Sequence, residues 1–171
     1  MTQRSMLCAR IGTRLRAAGE HLAIAESLTG GMVAQCFAAA PDSSDWFLGA
    51  VVAYQKRVKF QVLSVPEGPV ITEQAATAMA EGVKRLTGAH VAAAVTGAGG
   101  PEGQDGQPPG TVWIAVVARG ATTTRQLHLD GEPPEICEQA ATATIELLCE
   151  VLEDHPSEEH PSGDHASDDH S

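Results

Sequence analysis

The residues able to do chemistry fall in three short stretches. In AESLTGG (25–31), Ser27 precedes Gly30 and Gly31 at the point where a short apolar run gives way to small residues. A serine on a strand-to-helix turn, beside the unpaired amides of the helix start, suits nucleophilic attack with an oxyanion held at Gly30 and Gly31, or a phosphate cradle. Capping of the helix by Ser27 or Thr29 is the plainer alternative. In YQKRVK (54–59), the chain's only tyrosine is followed by two of its three lysines. On a helix starting near residue 55, Lys56 and Lys59 share a face and lean back toward Tyr54. A lysine enclosed by apolar groups loses its proton near neutral pH and can act as base for a serine hydroxyl. A solvated cluster of Lys56, Arg57 and Lys59 is the alternative there. The third stretch, TGAGGP (96–101), fails as a dinucleotide fingerprint, because Glu102 takes the third glycine position and Pro101 stands where a helix should begin. What remains is permissive backbone at Gly97, with the Thr96 hydroxyl at its entrance.

Each stretch follows an apolar run of strand length, and ligands in open α/β sheets bind outside the carboxyl ends of strands. The periodicity predicts helices over 2–18, ended by Gly19, 32–40, stopped by Pro41, 55–63, with Val58, Val62 and Leu63 inward, 72–86, with Leu86 on its apolar face, and 134–152. Strands are predicted at 21–26, 48–54 and 91–96, all buried, and at 111–118 and 122–129, which read as a hairpin. This order gives an α/β fold: three layers, α/β/α, around a mixed sheet that includes a C-terminal antiparallel hairpin.

Composition narrows the partners. Eleven Lys and Arg stand against 22 Asp and Glu, for a net charge of −11. That balance repels nucleic-acid phosphates and anionic membrane surfaces. No run reaches membrane-spanning length and no leader pattern opens the chain, so the expected location is cytoplasmic. Four cysteines without metal-ligand spacing read as reduced thiols, and no metal or cofactor is expected. Residues 1–153 form the predicted domain. From 154 to 171 the chain lacks Leu, Ile, Val and aromatic residues, repeats histidine every five positions, and is expected to be a disordered acidic tail.

Four co-linear motifs, AESLTGG (25–31), GAVVAYQKRVK (49–59), TGAGGPEG (96–103) and PPGTVWIAV (108–116), together resemble the CinA C-terminal domain family, the nicotinamide-nucleotide amidohydrolases. The resemblance implies a domain that associates as homodimers. It also implies hydrolysis of the carboxamide of nicotinamide mononucleotide to nicotinic acid mononucleotide and ammonia. By the same resemblance Ser27 is the nucleophile, with Lys59 and Tyr54 as base and proton relay, and Thr29, Thr96 and Gly97 are ligand contacts. A non-catalytic nucleotide- or partner-binding module that kept this pocket is the competing reading. Two departures bear on substrate. The family's Ser-Asn after the tyrosine is Gln55-Lys56 here, and its Gly-Asp-Arg stretch with a following arginine is replaced by Gly131-Glu132-Pro133-Pro134 and Cys137. Lys56, Arg57 and Lys59 are the only three bases within four residues, and with Lys59 as neutral base Lys56 or Arg57 is the expected phosphate ligand.

Overall fold

The computed structural model describes residues 1–157. Five strands form one sheet in the order β2-β1-β3-β4-β5, with β1 (Leu22–Glu26) parallel to both β2 (Phe47–Val52) and β3 (Val91–Gly97). The strands β4 (Thr111–Ala118) and β5 (Ala121–His128) continue it antiparallel. Arg119 and Gly120 both take positive φ, 52° and 77°, which closes the β4–β5 hairpin on two residues with the twist the strands require.

Helices cover both faces. The helices α1 (Gln3–Ala18), α2 (Met32–Ala38) and α5 (Pro133–Asp154) pack on Leu22, Ile24, Val95, Val112, Ile114 and Val116. The opposite face offers mostly alanine, Ala23, Ala25, Ala92, Ala94 and Ala115, to α3 (Lys56–Leu63) and α4 (Glu73–Thr87). Alternation of bulky and small residues along each strand thus sets a thick layer on one side and a close one on the other. Thr72 caps α4 by accepting from the Ala75 amide, as Thr2 caps α1 from Ser5. Gly82 of α4 meets the end of α3 so closely that a Cβ there would lie 2.2 Å from the Leu63 carbonyl. Only glycine lets α3 seat at that depth.

Two expectations are corrected. Residues 47–52 form an edge strand with alternating exposure, rather than a buried one, because β1 lies on one side only. Val62 and Leu86 are exposed, since α3 and α4 turn their Lys59–Leu63 and Ala76–Met79–Val83 faces inward instead. Helix α5 runs through Asp154, and the His155 carbonyl accepts from Arg119. The expected tail lies, from residue 158 on, outside the described residues. Among the described residues no helix is long and apolar enough to cross a membrane.

Candidate active site

The chain crosses from β1 through α2 to β2 on one face of the sheet, then from β2 through α3 and α4 to β3 on the other. Strand order therefore reverses around β1, and a crevice opens beyond its carboxyl end. Ser27 is the first residue past that end. Its amide donates to the Val95 carbonyl at 3.1 Å, while the preceding Glu26 carbonyl accepts from Ala53 at 2.7 Å, so neighbouring strands hold the turn on both sides.

Lys59 comes to Ser27 from α3. Its side chain leans back toward the start of that helix and places Nζ 2.8 Å from Ser27 Oγ, 2.7 Å from the Ala53 carbonyl and 3.3 Å from the Tyr54 carbonyl. The residue is 1% exposed and Ser27 6%. Burial pushes the ammonium down from the ordinary 10.5 to about 8, with Asp105 opposing the shift and Lys56 adding to it. A neutral Lys59 has two N–H bonds and one lone pair. The two carbonyls can take the N–H bonds, which leaves the lone pair for the serine hydroxyl.

Glu26 is fully buried beneath the turn. Its Oε1 accepts from the Thr29 hydroxyl at 2.6 Å, the Gly31 amide at 3.3 Å and the Val33 amide at 3.0 Å, and its Oε2 from Ala34 at 3.0 Å. The carboxylate occupies the amino end of α2, where unpaired amides and the helix dipole favour an anion. This corrects the expected oxyanion site. The Gly31 amide and the Thr29 hydroxyl serve Glu26, and the Gly30 amide donates to the Ser27 carbonyl at 3.1 Å. Among the described residues the amides of Leu28 and Gly99 make no hydrogen bond. Both residues line the pocket, and a Cβ on Gly99 would fall 3.8 Å from that of Leu28, so the two turns abut.

The pocket over Ser27 encloses about 280 Å³. Leu28 and Tyr54 line it from the β1 and β2 ends, Gly97 from the end of β3, Gly99, Gly100 and Glu102 to Gln104 from the following loop, and Pro133 and Cys137 from the start of α5. Tyr54 is 69% exposed at the rim, and its contact with Lys59 is through the backbone carbonyl rather than the phenol expected to relay a proton. Thr96 is buried and donates to the Val70 carbonyl at 2.8 Å, away from the pocket that Gly97 helps to form. The expected phosphate ligands are also engaged elsewhere. Lys56 pairs with Asp105 at 2.5 Å, and Arg57 bonds Gln61 on its own helix at 3.2 Å.

Two residues were missed from sequence. Asp105 also accepts from the Val70 amide at 3.0 Å, and so ties the loop after β3 to α3 and to the segment before α4. Cys137 donates to the Leu28 carbonyl at 3.1 Å and brings α5 onto the turn that carries Ser27. Burial, and then Glu138, push its thiol up from the ordinary cysteine value.

The CinA C-terminal domain model matches residues 4–152. A CinA-like protein of Frankia casuarinae is 38% identical over 141 residues, covering 80% of this chain and 33% of its own length. One of Myxococcus xanthus is likewise 38% identical over 141 residues, covering 78% and 34%. The chain thus spans about a third of the curated relatives it matches. The crystal structure of a competence-damaged protein (CinA) superfamily member from Klebsiella pneumoniae superposes with a TM-score of 0.85 at 32% identity, covering 90% of this chain and all of that one. One from Escherichia coli gives 0.85 at 32%, covering 88% and 91%. The family model spans most of the chain, and the relatives are more than 30% identical over more than two thirds of it: the chain belongs to the CinA C-terminal domain family.

Proposed function

We propose that the chain is a serine amidohydrolase that converts the carboxamide of a pyridine nucleotide of the nicotinamide type into carboxylate and ammonia. The observation that carries this reading is the buried contact of Lys59 Nζ with Ser27 Oγ. Neutral Lys59 takes the hydroxyl proton as Oγ attacks the amide carbon. The carbonyl oxygen becomes an oxyanion within reach of the Leu28 and Gly99 amides, the first belonging to the residue after the nucleophile. Collapse breaks the C–N bond, and Lys59 returns its proton to the departing nitrogen, which leaves as ammonia. Water then attacks the acyl ester, with Lys59 as base once more, and frees Ser27 and the acid.

The test is ammonia release by the purified chain from nicotinamide mononucleotide and from nicotinamide riboside. Turnover of either that vanishes in Ser27→Ala supports the reading. Turnover that survives in Ser27→Ala excludes it, and so does the absence of turnover with both.

A further inference from the structure

The loop between β3 and β4 is fixed in place by its own short-range contacts and by two anchors. Gln104 and Gln107 exchange backbone hydrogen bonds at 3.0 and 2.9 Å. Gly103 meets that turn so closely that a Cβ would lie 2.4 Å from the Gln107 carbonyl. Asp105 ties the turn to Lys56 and to the Val70 amide. A loop held this way loses little freedom when a ligand arrives. Yet among the described residues the amides of Gly100, Glu102 and Gly103 make no hydrogen bond, while all three residues line the pocket over Ser27. They follow Gly99, which abuts Leu28 where the oxyanion is expected to form.

We propose that Gly100, Glu102 and Gly103 bind the phosphate of the substrate through their backbone amides, with no lysine or arginine in contact. The proposal rests on the amidohydrolase reading and assigns a subsite to the phosphorylated end of its nucleotide. Backbone N–H groups carry fixed partial charges that attract an anion and give it charge-assisted hydrogen bonds. Gly100 and Gly103 have no side chain to keep an anion from the main chain, and Gly100 takes φ 79°, which other residues rarely adopt. Side-chain cations are committed elsewhere: Lys56 to Asp105, Arg57 to Gln61 and Lys59 to Ser27. Among the described residues no lysine or arginine lines the pocket. The Glu102 side chain is exposed, so water screens its carboxylate from a phosphate bound at its amide.

The test titrates isotope-labelled Ser27→Ala protein, which leaves the carboxamide intact, with nicotinamide mononucleotide, nicotinamide riboside and orthophosphate while backbone amide resonances are followed. Mononucleotide and orthophosphate are expected to move the amide protons of Gly100, Glu102 and Gly103 downfield, and riboside to move them far less. The mononucleotide should bind about tenfold or more tighter than the riboside. Orthophosphate should compete with the mononucleotide and leave riboside binding unchanged. Arg57→Met should keep the preference for mononucleotide, and Glu102→Gln should widen it. Equal binding of the two, or phosphate shifts confined to Lys56 and Arg57, overturns the proposal. A mononucleotide preference with shifts at the three amides, but no ammonia release by the unsubstituted protein, keeps the phosphate subsite and overturns the hydrolytic reading. Ammonia released equally well from riboside and mononucleotide keeps the hydrolytic reading and overturns the subsite.

Discussion

Lys59 Nζ touches Ser27 Oγ at 2.8 Å and the Ala53 carbonyl at 2.7 Å, so one buried amine joins the turn after β1 to the exit of β2. On the proposed mechanism Ser27 and Lys59 act as a unit. Ser27→Ala and Lys59→Met are each expected to lower kcat by about a thousandfold or more, and the double variant by little beyond either. Steady-state ammonia release by the three proteins checks this. A double variant whose loss is the product of the single losses would show that the residues act independently.

Only the neutral amine can accept the serine proton. The rate under kcat/KM conditions should therefore rise with pH and level off above about 8, where burial has brought the Lys59 ammonium. A rate that is flat from pH 6 to 9 would remove Lys59 from the role of base.

The same group leaves a mark on stability. In the unfolded chain Lys59 titrates at its ordinary 10.5 and in the fold at about 8, so between those values the unfolded chain binds more protons. Stability contributed by this residue consequently rises with pH across that window, by up to about 3 kcal/mol, and is lost as pH falls through 8. Subtracting the denaturation curves of Lys59→Met from those of the unsubstituted protein isolates the effect from the cysteines, of which Cys8 is pushed up to about 12 by burial.

Lys56 and Asp105 should move the rate profile in opposite directions. Asp105 holds the Lys59 ammonium up and Lys56 holds it down. Asp105→Asn, which keeps an acceptor for the Val70 amide, is expected to shift the rising limb to lower pH, and Lys56→Met to higher pH. A shift of the same sign in both would mean that the variants act by releasing the loop rather than through charge.

Glu26 serves four donors at once while fully buried. Glu26→Ala strands those donors and should cost on the order of 3 kcal/mol, read as a fall in Tm of roughly 5 to 15 °C. An unchanged Tm would show that water replaces the carboxylate without loss.

Much of this was legible in the sequence, for reasons that differ by element. Thr2, Gly19 and Thr72 mark helix ends through local hydrogen bonding and αL backbone, which do not depend on tertiary context. The meeting of Ser27 and Lys59 followed from two turns at the carboxyl ends of strands and from the backward lean of a helical side chain. The misreadings come from packing. An apolar run such as 47–52 reads alike at a sheet centre and at an edge, and strand order alone decides which it is. The amides of Gly30 and Gly31 are taken up by different partners, Gly30 by the Ser27 carbonyl within the turn and Gly31 by the Glu26 carboxylate, whose direction under the following helix composition does not reveal. Asp105 lies in a loop without periodicity, and its bond to Lys56 spans 49 positions. For Cys137 a signal existed in the replacement of arginine at the start of the last helix, but its place on the wall depended on where α5 landed.

The carbonyls that receive Lys59 belong to Ala53 and Tyr54, the first residues beyond an edge strand secured along one side only. Partial opening at a sheet margin requires less free energy than loss of the whole domain. Peeling of β2 would withdraw both oxygens and let the amine drift from the serine while α4, α5 and the central strands stay packed. On the proposed mechanism competence would then be a property of the margin rather than of the interior: in a urea series, turnover should fade before the helical circular dichroism does, and amide exchange along residues 49–53 should follow the loss of turnover.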